Sequence, residues 1–397
     1  MKDDNLRRLR ANRVFLTEEG CDLDAFRAIV ERETRRGDYP FAGDVVSNVL
    51  VYEGDDVRAA ARSPETRREL MAEWLEAMTD GPGVIAIRMA FADPAPIEAA
   101  NGRFWAMIEE QNKTGAARGD HFAKPGANDR VWNALEKLCL ADPATFAAYY
   151  GNEVIALASE AWLGPHYQVT SQLNVVNPGG EAQVPHRDYH MGFQTAREIQ
   201  RFPVHAHCLS PMLTLQGAVV HCDMPLESGP TLYLPYSQAY LPGYIASLRD
   251  DFRLYFAEHR VQLPLKMGDA VFFNPALLHA AGSNRSKDIK RIANLLQVSS
   301  AFGRAMESVD RLKMSLALYP TLQKLLADMA IAPAAADRAI AACAEGYAFP
   351  TNLDRDPAIG GLAPQSQAAL MRQALTADWT PEAFAKAAEG QAWRKLT

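Results

Sequence analysis

The chain has 397 residues and a formal net charge of -7, with 48% hydrophobic and 22% charged residues. That length can bury one large core or two modest ones, and the acidic balance lacks the basic footprint of a general nucleic-acid binder. Five widely spaced cysteines, Cys21, Cys139, Cys208, Cys222 and Cys343, contain no Cys-x-x-Cys pair, which argues against a disulfide framework or structural zinc and fits a reducing compartment.

In chain order, the first third reads as largely helical. The N-terminal Met1–Arg8 is charged and lacks an apolar signal core. Ser63-Pro64-Glu65 is a helix start, with a hydroxyl cap before proline at the first helical position. The helix continues through Leu70, Met71, Trp74, Leu75 and Met78 at 3-4 spacing and stops at Gly81-Pro82-Gly83. Val84 to Phe91 reads as a strand, and Asp142-Pro143 opens another helix ending near Leu163-Gly164. From about residue 165 short β-rich runs alternate with Pro, Gly and Asn: Tyr167–Val176, Met212–His221, Thr231–Leu234, Ala270–Phe273 and Ile292–Val298. Many short strands with such turns predict a barrel or jelly roll. Beyond about 305 helices return, over Leu316 to Met329, an Ala-rich stretch at 333–345, and a last helix capped at Thr380-Pro381-Glu382. The expectation is one domain over 1–397: a mostly helical 1–164, a β core over 165–305 and a helical 306–397. No apolar run approaches the roughly 20 residues of a membrane span. The C-terminal Arg394-Lys-Leu-Thr397 is not a Ser-Lys-Leu address, so a soluble cytoplasmic protein is expected.

His186-Arg187-Asp188 offers two ligand types on one face of a strand, because side chains alternate. A third ligand could come from His279, just after the strand Asp269–Phe273. Two imidazoles and one carboxylate are the facial set of non-haem Fe(II) centres that keep positions open for oxygen. A second His-x-Asp exists at His221-Cys222-Asp223. Spacing alone does not choose between the two; the Pro/Gly turn at Asn177–Gly180 and the aromatic, His-rich Pro185–His190 favour the first. His190 shares the face of His186 and Asp188, as a fourth ligand, a neighbour of the ligands or a substrate contact. Twelve residues after His279 stands Arg291, at the start of a strand with Ala293, Leu295 and Gln297 on its own face. A guanidinium there can take a carboxylate through two parallel hydrogen bonds; Arg285 and Lys290 are its competitors.

These residues, with Gln172-Leu-Asn174, Glu227–Pro235 and Gly268–Phe273 leading into His279, Gly282, Asn284 and Arg291, resemble the phytanoyl-CoA dioxygenase family of Fe(II)/2-oxoglutarate oxygenases. The motif order agrees over about 165–300. The resemblance implies a double-stranded β-helix (jelly roll) flanked by N- and C-terminal helices, with iron on His186, Asp188 and His279. It implies that Arg291 takes the distal carboxylate of 2-oxoglutarate, with Asn174 or Gln172 assisting, and that O2 is the oxidant. Two positions depart from the family pattern. Ala281 stands where a Ser or Thr often helps to hold the cosubstrate, and Tyr236-Ser-Gln replaces Gly-Ser-His at the end of the hairpin. Asp188 is intact where related halogenases lose the carboxylate, which favours hydroxylation of an unactivated C–H bond.

The expected substrate is a small molecule, with no nucleic-acid or membrane partner and a monomeric or homodimeric chain. Tyr189, His190, Phe193, His205 and His207 are candidate substrate contacts, and the 191–211 connection a candidate lid. His121 and Lys124 could also reach the pocket. No glycine-rich phosphate cradle for a CoA moiety is evident. Two other classes remain open: a cupin-type dioxygenase or isomerase that ignores 2-oxoglutarate, and a non-catalytic jelly-roll binding protein.

Overall fold

Short runs of β-branched and aromatic residues set the frame of the site. The computed structural model describes residues 2–114 and 126–397. Its strands are β1 (Asp44–Val46), β2 (Val49–Glu53), β3 (Val84–Arg88), β4 (Asn128–Val131), β5 (Gln168–Val176), β6 (Thr214–Val220), β7 (Leu232–Tyr233), β8 (Ala270–Phe273), β9 (His279–Ala280) and β10 (Arg291–Ser299). Among the described residues, eight strands form one sheet in the order β1-β2-β3-β8-β6-β10-β5-β4, and β7 pairs with β9 in a second. β2 and β3 run parallel, while β8 is antiparallel to both β3 and β6.

Isolated bridges widen the small sheet. His186 pairs with His279 on one side, and Val261 with Tyr233 on the other. The β7–β9 register sets Tyr233 opposite His279 and Leu232 opposite Ala280. The small sheet is thus four antiparallel segments, and with the large sheet it makes the jelly roll that the motif order implied. β2 was not anticipated: Val49–Tyr52 is a run of four buried apolar residues, too short for periodicity to distinguish a strand.

The chain folds as two compact units. The first comprises Met1–Ala92, Arg118–Asp129 and Asn174–Ala293. Alternation sorts its side chains into two clusters. Val49 and Val51 of β2, Val84 and Ala86 of β3, and Val271 and Phe273 of β8 meet Tyr233, Leu263 and Leu277 in one. Leu232, Leu234 and Ala280 point the other way, into a cluster with Phe26, Tyr240, Tyr244, Phe252 and Phe256. Burying each such side chain contributes about 1.5–3 kcal/mol, so the alternating pattern fixes which face of β7 and β9 looks inward.

The second unit comprises Asp93–Ala117, Arg130–Leu173 and Asn294–Thr397 and is mainly helical. The helix expected from 142 to about 163 is two, Pro143–Tyr150 and Glu153–Leu163. Gly151 ends the first, and Asn152 starts the second by accepting from the backbone N–H of Val154 (2.9 Å) and Ile155 (3.1 Å). The helix expected from Leu316 begins earlier, at Arg311, where Asp310 accepts from the N–H of Lys313. Tyr319 stacks on Phe384 at 4.2 Å. The buried Asn294 amide donates to the hydroxyls of Tyr149 and Tyr150. Among the described residues, no helix is long and apolar enough to cross a membrane.

Candidate metal centre

The segment holding His186 and Asp188 is laid against the segment that ends at His279. His186 and His279 exchange both backbone hydrogen bonds, at 2.9 and 3.1 Å, and the Asp188 N–H donates to the carbonyl of Pro275. The pairing puts His186, Asp188 and His279 on one side and turns Arg187 to the other. His186 Nε2 lies 3.8 Å from one Asp188 oxygen, and His279 Nε2 lies 3.7 Å from the other. The candidate ligand atoms of all three residues are within 4.8 Å of one another. Among the described residues no other group of three His, Cys, Asp or Glu side chains is so disposed.

Neighbouring carbonyls aim the imidazoles. His186 Nδ1 is 2.8 Å from the Val184 carbonyl and His279 Nδ1 is 2.9 Å from that of Leu277. A carbonyl only accepts, so each Nδ1 carries the proton and each Nε2 presents a lone pair to the cluster. Asp188 accepts from the Gln216 amide of β6 at 2.5 Å. Two neutral imidazole nitrogens and one carboxylate converging in this way fit a divalent cation with open positions.

Arg187 braces the centre from behind. Its guanidinium is buried and donates to the carbonyls of Ser237 and Tyr240. It also lies 5.4 Å over the Tyr244 ring. Burial lowers it to about 10. Gly243 is required beside it, because a Cβ there would overlap the guanidinium. The Tyr244 hydroxyl donates toward the carbonyls of Asp188 (2.9 Å) and Tyr189 (2.7 Å). The Ser210 hydroxyl takes the His190 N–H at 3.0 Å and donates to the Tyr189 carbonyl at 2.9 Å. Sequence reasoning missed Gln216, Arg187, Ser210 and Tyr244. Gln216 carried one signal, as a lone amide in the apolar run Leu215–Val220.

The second His-x-Asp does not form a cluster. His221 is buried, and burial lowers it to about 3, while Asp223 accepts from the backbone N–H of Met267 at 3.1 Å. Burial also separates the three basic candidates. Arg285 and Lys290 are exposed, whereas Arg291 is 6% exposed and its Nη1 has no hydrogen-bond partner. Burial lowers Arg291 to about 10, opposed by Cys222 and Tyr233. A buried guanidinium nitrogen without a partner is costly, and an anionic ligand relieves that cost. Asn174 is likewise buried with Oδ1 unpartnered. Gln172 is engaged, its amide 3.6 Å from Met306 sulfur and its side chain bonded to Glu307. The Ala281 backbone is held by Gln183 at both its N–H and its carbonyl.

Three of the five substrate candidates pack together. Tyr189 is buried, its ring 5.4 Å from Phe193 and 5.6 Å from the half-buried His190. Phe193 is 54% exposed. His205 is exposed on the helix Val204–Met212, and His207 is buried beside Tyr244. The 191–211 connection holds a short 3-10 turn, Met191–Phe193, and the helices Ala196–Ile199 and Val204–Met212. His121 and Lys124 lie outside the described residues.

The family model for phytanoyl-CoA dioxygenase (PhyH) matches residues 66–292, more than half of the chain. No curated protein sequence matches. Among solved structures, the chain is similar to the non-heme alpha ketoglutarate dependent epimerase SnoN from nogalamycin biosynthesis, at 18% identity over 60% of this chain and 82% of that one, with TM-score 0.40. It is also similar to the non-heme alpha ketoglutarate dependent carbocyclase SnoK from nogalamycin biosynthesis, at 20% identity over 60% of this chain and 84% of that one, with TM-score 0.40.

Proposed function

The chain belongs to the phytanoyl-CoA dioxygenase family, and from that premise we propose that it is an Fe(II)- and 2-oxoglutarate-dependent dioxygenase that hydroxylates a C–H bond of a small molecule. The observation that carries this reading is the convergence of His186, Asp188 and His279, with both Nδ1 atoms bonded to carbonyls and both Nε2 atoms directed at the carboxylate. His186, Asp188 and His279 hold the iron, and Arg291 anchors the distal carboxylate of 2-oxoglutarate. Asn174, with its free buried oxygen, is the better of the two amide candidates for assisting it. Bound iron, with 2-oxoglutarate and O2, supplies the oxidising power, and succinate and carbon dioxide are the co-products.

The protein's share is orientation. Gln216 occupies one oxygen of Asp188, which directs the other toward a metal and favours a single carboxylate–metal bond. Val184 and Leu277 carbonyls fix the imidazole tautomers. Arg291, with a buried Nη1 that lacks a partner, is prepared for a dicarboxylate. A cupin-type enzyme indifferent to 2-oxoglutarate would have no use for that arginine. The intact Asp188 supports hydroxylation over halogenation.

Anaerobic titration with Fe(II) and then 2-oxoglutarate tests the reading. The expected result is a weak visible charge-transfer band that saturates with 2-oxoglutarate and is absent in Asp188→Ala. Succinate release across a panel of small molecules then seeks the substrate. Wild-type protein that binds iron but forms no such band would remove 2-oxoglutarate from the proposal.

A further inference from the structure

Ala281 leaves a vacancy for a hydroxyl in the chemistry of the cosubstrate pocket. We propose that Tyr233, backed by Thr231, fills that role by donating its phenolic O–H to the distal carboxylate held by Arg291. The inference rests on the 2-oxoglutarate reading above.

Three observations in the first unit lead to it. The first is register. Tyr233 lies directly opposite His279 in the β7–β9 pair, and directly opposed residues of an antiparallel pair share a face. That face is the inward one, because Leu232 and Ala280 pack into the outer cluster. Phe273 connects the two side chains, with its ring 5.4 Å from Tyr233 and 4.8 Å from His279.

The second is the company of the phenol. Its side-chain partner is Thr231, two residues back and so on the same face of the segment. A phenol can accept from the threonine hydroxyl and still donate one hydrogen bond. Arg291 and Tyr233 lie within electrostatic reach of each other. Both are nearly sealed from solvent, Tyr233 at 3% exposure and Arg291 at 6%, so a carboxylate between them would receive charge-assisted bonds little weakened by water.

The third is the state of the other nearby hydroxyl. Ser283, two residues beyond Ala281, accepts the Ala182 N–H at 2.9 Å, and Ala281 itself is bound by Gln183 through its backbone. The hydroxyl that relatives often carry after the distal histidine has therefore moved across the sheet, to the strand facing it.

The test uses the full chain, loaded anaerobically with Fe(II) and titrated with 2-oxoglutarate or, at millimolar levels, with pyruvate, which has the same 2-oxo acid end and no distal carboxylate. Iron affinity is followed by chelator competition. Tyr233→Phe is expected to weaken 2-oxoglutarate about ten-fold or more, as for loss of a hydrogen bond to a charged group, with iron and pyruvate affinities unchanged. Adding Ala281→Ser to Tyr233→Phe is expected to recover part of the loss. Unchanged 2-oxoglutarate affinity in Tyr233→Phe, alongside its loss in Arg291→Leu, overturns the role of Tyr233 and leaves the Arg291 anchor standing. An equal loss of pyruvate also overturns it, since that reports a damaged centre. Wild-type protein that binds no 2-oxoglutarate overturns the parent reading and this one together. Where Tyr233→Phe does not fold, Thr231→Val replaces it, with a few-fold weakening expected and an unchanged affinity decisive against the proposal.

Discussion

Gln216 and His221 sit five residues apart around β6, and burial gives them opposite duties. The Gln216 amide is spent on Asp188. Gln216→Leu keeps the volume and removes the donor, so iron affinity should fall by about 10- to 100-fold with little change in secondary structure; chelator competition with an unchanged iron affinity would count against the orienting role. His221 is a buried neutral base whose pKa is lowered to about 3 by desolvation, against about 6.5 in the unfolded chain. Between those values the unfolded chain binds a proton that the folded chain refuses. Stability therefore falls as pH drops from about 6.5 toward about 3, at up to about 1.4 kcal/mol per pH unit. Urea midpoints at pH 7, 6 and 5 should show a shallower acid decline for His221→Gln, and parallel declines would refute the assignment. The cluster of His186, Asp188 and His279 was legible in sequence as a candidate metal site, and Arg291 as the proposed anchor, because rare residue types carry their chemistry openly. The choice against His221 and Asp223 was only favoured by context, and burial with the Asp223–Met267 contact supplied the physical reason. Tyr233 was not legible as a site residue, since its face depends on pairing with a strand 46 positions away in sequence.

Elements with their own punctuation were read well. Ser63 and Thr380 cap helices that begin with proline, and the helices Pro64–Thr79 and Pro381–Arg394 follow. The break at Gly151 was missed because an apolar helix continues on both sides of it, yet Asn152 caps the second half with two hydrogen bonds. Asn152→Ala should cost about 1 kcal/mol, read as a lower urea midpoint; no change would mean that packing alone holds the joint. β7 and β9 are each two residues long, below what period-2 alternation can reveal, although they bear Tyr233 and His279. The turn that carries Gly243 offers a second test. Gly243→Ala forces a methyl into the Arg187 guanidinium, at a cost of about 1–3 kcal/mol. Part of that cost should vanish in an Arg187→Met background, because the two sites are coupled; an additive double mutant would contradict the contact.

On the scale of the molecule, motif order identified the jelly roll, while the two compact units did not follow from it. Each unit draws on three separated stretches of chain, and contacts between distant stretches leave no periodic trace in a single sequence. A metal that binds only the folded centre should stabilise the protein, by about 2.7 kcal/mol at a hundred-fold excess over its dissociation constant. Fe(II) under anaerobic conditions should therefore raise the unfolding midpoint of the wild type and not of Asp188→Ala; equal shifts in both would place the binding elsewhere. Arg187 bears on how such a centre is reached during folding. A strand that slips by one residue turns every side chain to the opposite face. For the segment 186–188 that slip would present a guanidinium where a cation belongs and drive an imidazole and a carboxylate into the apolar cluster around Tyr240 and Tyr244. The charge of Arg187 thus makes the slipped register electrostatically unfavourable for a bound cation.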